Sequence, residues 1–237
     1  MLNNIPAPHH HGGLLAVVYM KCDMHMHTRY SHDSNLKPRK ILKIAKKRGI
    51  DAVAITDHGT IKGGLAAKKE AISMNNAVSV IVGAEILTER GEIIGLFLEE
   101  EVKSTNFERV IDEIKAQNGI VVVPHPFDDL RGSALHPTSE DASLFDCVEV
   151  FNSRCILRKF NEKALEFANS HNLGMTAGSD AHTANEIGNA FVSADVDDIW
   201  DLREAVLRRE VSIYGKKSLI FNHLFSKILK RWRKLLQ

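Results

Sequence analysis

The residues able to do chemistry in this chain fall in short groups: His25-x-His27, Asp57-His58, Glu85, His125, Glu149 with Asn152, and Asp180-x-His182. Side chains two apart on a strand point to the same face, so His25 and His27 project together and one cation can take both imidazoles. A lone His-x-His is more often an ordinary core or surface pair. Here the pattern recurs, because each group ends an apolar, β-compatible run. Imidazole together with carboxylate suits Zn²⁺, Mn²⁺ or Fe²⁺. Five histidines and several carboxylates focused on one face would be untenable without cations. Seven or eight ligands exceed what one tetrahedral ion uses, so two or three divalent ions are expected.

The elements that must position these groups are legible from periodicity. The run Leu14–Val18 leads into the His pair. Further buried strands are expected at 51–56, 78–82, 120–123, 147–150, 173–177 and 191–194. A hairpin over 88–98 turns at Arg90-Gly91, and its acid Glu92, like the run 99–101, is expected to face solvent. Helices are expected at 38–48, opened by Pro38 at the first turn, and at about 61–74, 106–117, 156–171 and 196–209. Strands alternating with helices of this length mean parallel βαβ units. Some seven strands in one domain fit a closed or nearly closed β/α barrel, whose strand C-termini gather on one face.

Composition sets the outer bounds. A chain of 237 residues suits one domain with a sizeable core. The formal net charge of +1 offers no global argument for nucleic acid or membrane. Cys22, Cys147 and Cys155 form no Cys-x-x-Cys, which suits free thiols in a reducing, cytoplasmic setting. No apolar run reaches the roughly 18 residues of a spanning helix. Residues 1–19, with His9-His10-His11 and several Pro and Gly, are expected to be a disordered extension before a domain at 20–215. The stretch 216–237 is a basic amphipathic helix without a single acid. The expectation is that its apolar face docks on the barrel; membrane-surface, partner-groove and nucleic-acid contact are the alternatives.

As a set, Cys-Asp-Met-His25-Met-His27-Thr, Ile-Thr-Asp57-His58-Gly, Gly-Ala-Glu85, Pro-His125-Pro, Glu149-Val-Phe-Asn152 and Gly-Ser-Asp180-Ala-His182 resemble the PHP (polymerase and histidinol phosphatase) family. The small stand-alone phosphoesterases of the family are the nearest in pattern. The resemblance implies a distorted seven-stranded, TIM-like β/α barrel with two or three Mn²⁺, Zn²⁺ or Fe²⁺ ions at the strand ends. It implies His25, His27, Glu85 and Asp180 around one metal, Glu85 and His125 at a second, and His58 and His182 at a third. A loop residue, His32 or Asp33, completes the third, and Asp33 is preferred. Family members often carry a further histidine between the Gly-x-Glu and Pro-His-Pro motifs; residues 86–124 contain none.

The implied activity is hydrolysis of phosphate esters of nucleotides or short oligonucleotides by a metal-activated water, with Asp180 and His182 as catalytic residues. Arg29 and Arg154, each just beyond a motif strand, are candidates to clamp phosphate, because the guanidinium fork matches its oxygens. Cys155 has no paired base and is set aside as a nucleophile. Two competing readings are a non-catalytic PHP subunit that binds nucleic acid, and a metal-dependent amidohydrolase. The survival of the ligand set weighs against the first, and the lack of a strand-end lysine against the second.

Overall fold

The computed structural model describes residues 19–235. The expected extension therefore lies, Tyr19 apart, outside the described residues, as does the run Leu14–Val18. The elements are β1 (Met20–Met26), α1 (Pro38–Lys47), β2 (Ala52–His58), α2 (Lys62–Ser73), β3 (Ser79–Thr88), β4 (Gly91–Leu96) and α3 (Phe107–Ala116). There follow β5 (Ile120–Val123), β6 (Cys147–Asn152), α4 (Arg158–Ser170), β7 (Gly174–Gly178), β8 (Ala190–Ala194), α5 (Ile199–Leu207), β9 (Ser212–Gly215) and α6 (Ile220–Leu235). Helix starts follow local chemistry. Pro38 opens α1, the Asn106 side chain accepts from the Arg109 amide at α3, and Asp198 accepts from Trp200 and Asp201 at α5.

All strands join one sheet in the order β7-β6-β5-β4-β3-β2-β1-β8-β9. The βαβ units pair in parallel, and the β3–β4 hairpin and β8 and β9 add antiparallel neighbours. The sheet curls until the chain after β7 meets the end of β1. Met26 bridges Ala181 there, and the Asp180 amide donates to the His25 carbonyl at 2.8 Å. The result is a nearly closed barrel of the expected class, with nine strands among the described residues rather than the expected seven. The unforeseen β9 is four residues long and partly exposed, too short to carry a periodic signal.

Cys22, Met24, Ala52, Ala54, Ile81, Leu96, Val122 and Ala177 fill the interior, and Leu202, Ala205 and Val206 of α5 pack against the same cluster. Helices α1 and α2 cover β1–β3, α3 covers β3–β5, and α4 covers β6 and β7 through separate apolar clusters. All three cysteines are buried and unpaired. Among the described residues, no helix is long and apolar enough to cross a membrane.

Helix α6 docks on the barrel in the opposite sense to the one expected. It buries Asn222, Ser226 and Leu229, while Phe221, Leu224, Phe225, Ile228 and Trp232 are exposed. The reason is what the mouth of the barrel offers, which is hydrogen-bond partners rather than an apolar groove. Arg154 donates to Ser226 Oγ at 2.5 Å, Asn185 to Asn222 Oδ1 at 3.1 Å, and Arg233 to the Ser31 carbonyl at 2.6 Å.

Candidate metal centre

The strand ends do more than place these residues near one another; they turn them to one side. In β1 the register slips between Asp23 and Met26. Cys22 and Met24 belong to the interior cluster, whereas Met26 packs with α1 and α2 outside. The bulge thus reverses the alternation and aims His25 and His27 inward, above Met24. At the end of β2, Asp57 accepts from the Thr28 amide and hydroxyl, both at 2.6 Å, and from Ser31 Oγ at 2.8 Å. That ties the loop after β1 to the next strand. Gly63 leaves room for it, since a Cβ there would lie 1.7 Å from Asp57 Oδ2. Gly178 does the same for β7, where a Cβ would lie 2.2 Å from His25 Cβ. His125 and Asp180 are held at φ +31° and +51°, the left-handed region that non-glycine residues seldom adopt. Such backbone persists where surrounding structure over-determines it, typically at functional sites.

Three imidazoles have one nitrogen committed outward. His25 Nδ1 donates to Glu149 Oε1 at 3.0 Å, and His182 Nδ1 to the Asp180 carbonyl at 2.8 Å. His27 Nδ1 donates to Ser31 Oγ at 3.1 Å, because the Ser31 hydroxyl proton is already given to Asp57. In the neutral tautomer that these partners select, each turns its Nε2 lone pair into the centre. His25 Nε2 and His27 Nε2 lie 3.1 Å apart. Two lone pairs at that separation repel unless positive charge comes between them.

Carboxylates ring the same space. Asp180 Oδ1 is 3.3 Å from His27 Nε2 and 3.4 Å from His182 Nδ1. Glu85 stands between groups, 3.0 Å from His58 Nδ1 and 3.0 Å from His125 Nε2. Asp33 Oδ2 meets His58 at 3.3 Å and His182 at 3.2 Å. Three clusters result whose ligand atoms lie within 4.8 Å of one another: His25-His27-Asp180, His58-Glu85-Glu92 and His27-Asp33-His58-His182. Asp33 Oδ1, His125 Nδ1 and Asp180 Oδ1 are buried with no hydrogen-bond partner. Orphaned buried acceptors beside bare imidazole nitrogens fit divalent cations.

The electrostatics agree. Burial opposes charge on His25, yet Glu149, Asp180 and Glu85 raise it well above the usual histidine range. Burial, with His182 and His58 nearby, pushes His27 down to about 3. Burial would lift Glu85, but His25, His58 and His125 hold it well below the usual carboxylate range. Asp180 is likewise held down, chiefly by Arg131 and His25 against its burial.

The structure brings His25, His27, Asp33, His58, Glu85, His125, Asp180 and His182 into one cluster. His32, the alternative loop residue, is 43% exposed and stacks on His58 with ring centroids 4.9 Å apart. Arg154 reaches the wall of the mouth, but Arg29 does not. The Arg29 amide donates to the Leu36 carbonyl at 2.8 Å, and its exposed guanidinium lies over Tyr30.

Two residues that the sequence reading did not place belong here. Glu92, expected in solvent, is buried, 3.5 Å from His125 Nε2, and accepts from Ser133 Oγ at 2.6 Å. Strand alternation carried the signal: Glu92 shares a face with Ile94 and Leu96, which fill the interior. It stands in the interval where a histidine is missing. Arg131 donates to Asp180 Oδ2 at 2.6 Å from a loop with no periodicity to read. A cavity of about 550 Å³ opens over the cluster, lined by Asp33, His182, Arg131, Arg154, Lys227 and Lys230 among others.

A family model described as the PHP domain matches residues 23–221. Two uncharacterised proteins of Methanocaldococcus jannaschii are related. One is 46% identical over 145 residues, covering 56% of this chain and 82% of that protein. The other is 37% identical over 180 residues, covering 73% and 70%. Among solved structures, a two-domain Bacteroides vulgatus protein containing a predicted PHP-like metal-dependent phosphoesterase superposes with a TM-score of 0.70 at 22% identity. The match covers 84% of this chain and 65% of that one, so this chain spans less than two thirds of the longer protein. At that identity the likeness speaks to the fold.

Proposed function

Given that the chain belongs to the PHP domain family, we propose that it hydrolyses phosphate esters, of nucleotides or short oligonucleotides, with two or three divalent ions (Mn²⁺, Zn²⁺ or Fe²⁺). His25, His27, Glu85 and Asp180 would hold one ion; Glu85, Glu92 and His125 a second; Asp33, His58 and His182 a third. Divalent ions bound there supply Lewis-acid charge and lower the pKa of water.

The protein's own groups do the rest. Glu149, with Asn152 donating to it at 2.9 Å, fixes the His25 ring. Asp180, whose Oδ1 faces the site while its Oδ2 accepts from Arg131, would also orient the attacking water and take its proton. His182 is held beside it through its Nδ1 bond to the Asp180 carbonyl. Arg131 at the edge of the cluster and Arg154 on the wall line the mouth, and the guanidinium nitrogens that Asp180, Asp128 and Ser226 leave free would bind phosphate oxygens. A mouth of about 550 Å³ is the size class that takes a nucleotide-sized ligand.

The observation that carries this reading is the set of bare imidazole nitrogens facing orphaned carboxylate oxygens beneath a mouth lined by arginine and lysine. Purified protein is expected to hold about two to three equivalents of Mn, Fe or Zn. With Mn²⁺ it should release phosphate from nucleoside bisphosphates and short oligonucleotides more efficiently than from an aryl phosphate. Metal-loaded protein that turns over none of these is the non-catalytic subunit instead. Turnover of the aryl phosphate alone would remove nucleotides as the substrate class.

A further inference from the structure

Helix α6 is amphipathic with its faces reversed relative to an ordinary surface helix. Its polar side is occupied by the barrel, through Asn222, Ser226 and Arg233. Its apolar side carries Ile220, Phe221, Leu224, Phe225, Ile228 and Trp232 into solvent, Phe221 at 80% and Trp232 at 59% exposure. At about 100° per residue these six fall within an arc of about 140°. Lys227 and Arg231 follow along one edge of that arc, and Lys230 lies beyond them at the mouth of the cavity. Residues 211–237 contain no Asp or Glu to neutralise them. Exposed Leu130 and Ile156 sit on the rim of the same mouth.

We propose that this face of α6 seats on an anionic lipid bilayer, with the apolar stripe laid into the boundary between headgroups and acyl chains. Two features select the occupant. A duplex nucleic acid would satisfy the cations but leave the phenylalanines and Trp232 wet. A second copy would cover the apolar stripe but bring Lys227, Lys230 and Arg231 against their own equivalents with no acid between them. A bilayer bearing anionic headgroups meets both demands at once. The helix lies in the surface and does not span: 16 residues reach about 24 Å, short of the roughly 30 Å hydrocarbon core. Seated in this way, α6 separates the lipid from the metal centre and leaves the cavity opening at the membrane edge.

The test uses the full chain with vesicles of phosphatidylcholine alone and of phosphatidylcholine with about 30% phosphatidylglycerol, a level chosen to give a strongly anionic surface. Flotation should recover the protein with the anionic vesicles and not with the neutral ones. In a Trp200→Phe background, Trp232 emission should move to the blue on binding. Replacing Phe221, Phe225 and Trp232 together by serine should weaken binding at least about tenfold while the melting temperature stays unchanged. Arg231→Glu, or salt near 1 M, where the Debye length falls to about 3 Å, should also weaken it. Failure to float with anionic vesicles at low salt overturns the proposal. So does a concentration-dependent dimer that the serine variant dissolves, which assigns the face to a second copy. Retention on duplex DNA that the serine variant leaves intact overturns it as well.

Discussion

The floor of the cavity and its roof are built on different principles. On the floor, each side chain has its position decided from more than one direction. His25 is fixed by Glu149 on one nitrogen, by a β1 bulge beneath, and by Gly178 lying against its Cβ. The roof, α6, rests on a few hydrogen bonds and one buried leucine, and its lysines line the cavity while remaining exposed. Rigid strands can hold the sub-ångström geometry that ion binding and in-line attack demand. A helix seated on polar contacts can tilt or slide at small cost, which suits recognition of substrate or surface. On the proposed function, the chemistry would belong to the floor and selectivity to the roof.

The largest expected effect comes from breaking the floor. Glu85 sits 3.0 Å from both His58 and His125 and within 3.6 Å of His25 and His27. Glu85→Gln keeps its shape and removes its charge. We expect it to lower kcat at least about 10³-fold and to release at least one equivalent of metal. Chelation of the wild-type protein should lower the melting temperature as well, because Asp33, Glu85, Glu92 and Asp180 would then lose the cations between them. Full activity in Glu85→Gln would sink the division of labour between floor and roof.

How much of this was readable beforehand follows the same division. His25, His27, Asp57, His58, Asp180 and His182 stood at the ends of apolar runs, and strand geometry alone said they would converge. Glu92 escaped because it was read as part of an acidic surface; its parity with Ile94 and Leu96 would have turned it inward. Arg131 escaped because a loop carries no period, and its pairing with Asp180 exists only once the chain has folded. For α6, hydropathy said which face was apolar but not which face the barrel would bind. That depended on Arg154, Asn185 and the Ser31 carbonyl, which come from three separate loops.

A smaller effect is expected where floor and roof meet. Arg131 donates both to Asp128 at 3.3 Å and to Asp180 at 2.6 Å, and it faces the cavity. If it clamps phosphate, Arg131→Ala should lower kcat/KM by about 10²-fold with metal content unchanged, and Arg131→Lys should recover only part of the loss. A loss of metal in parallel with activity would instead make Arg131 a support for Asp180, and part of the floor.

The smallest effect tests whether the roof is loosely seated. His223 on α6 is half-buried, and burial together with Arg154 and Arg131 lowers it to about 4, while Asp180 and Glu186 pull weakly the other way. Its folded value thus lies below the roughly 6.5 of an unfolded histidine. Between those values the displaced helix takes up a proton that the seated helix does not. The seat should be intact above about pH 6.5 and weaken as pH falls toward 4. Hydrogen exchange over residues 220–233, corrected for the intrinsic pH dependence, should show protection declining from pH 7 to pH 5. His223→Gln should flatten that decline, and β1–β3 should be unaffected by the substitution. Equal loss of protection in the strands and in α6 would mean that floor and roof open as one unit, and the contrast between them would fail.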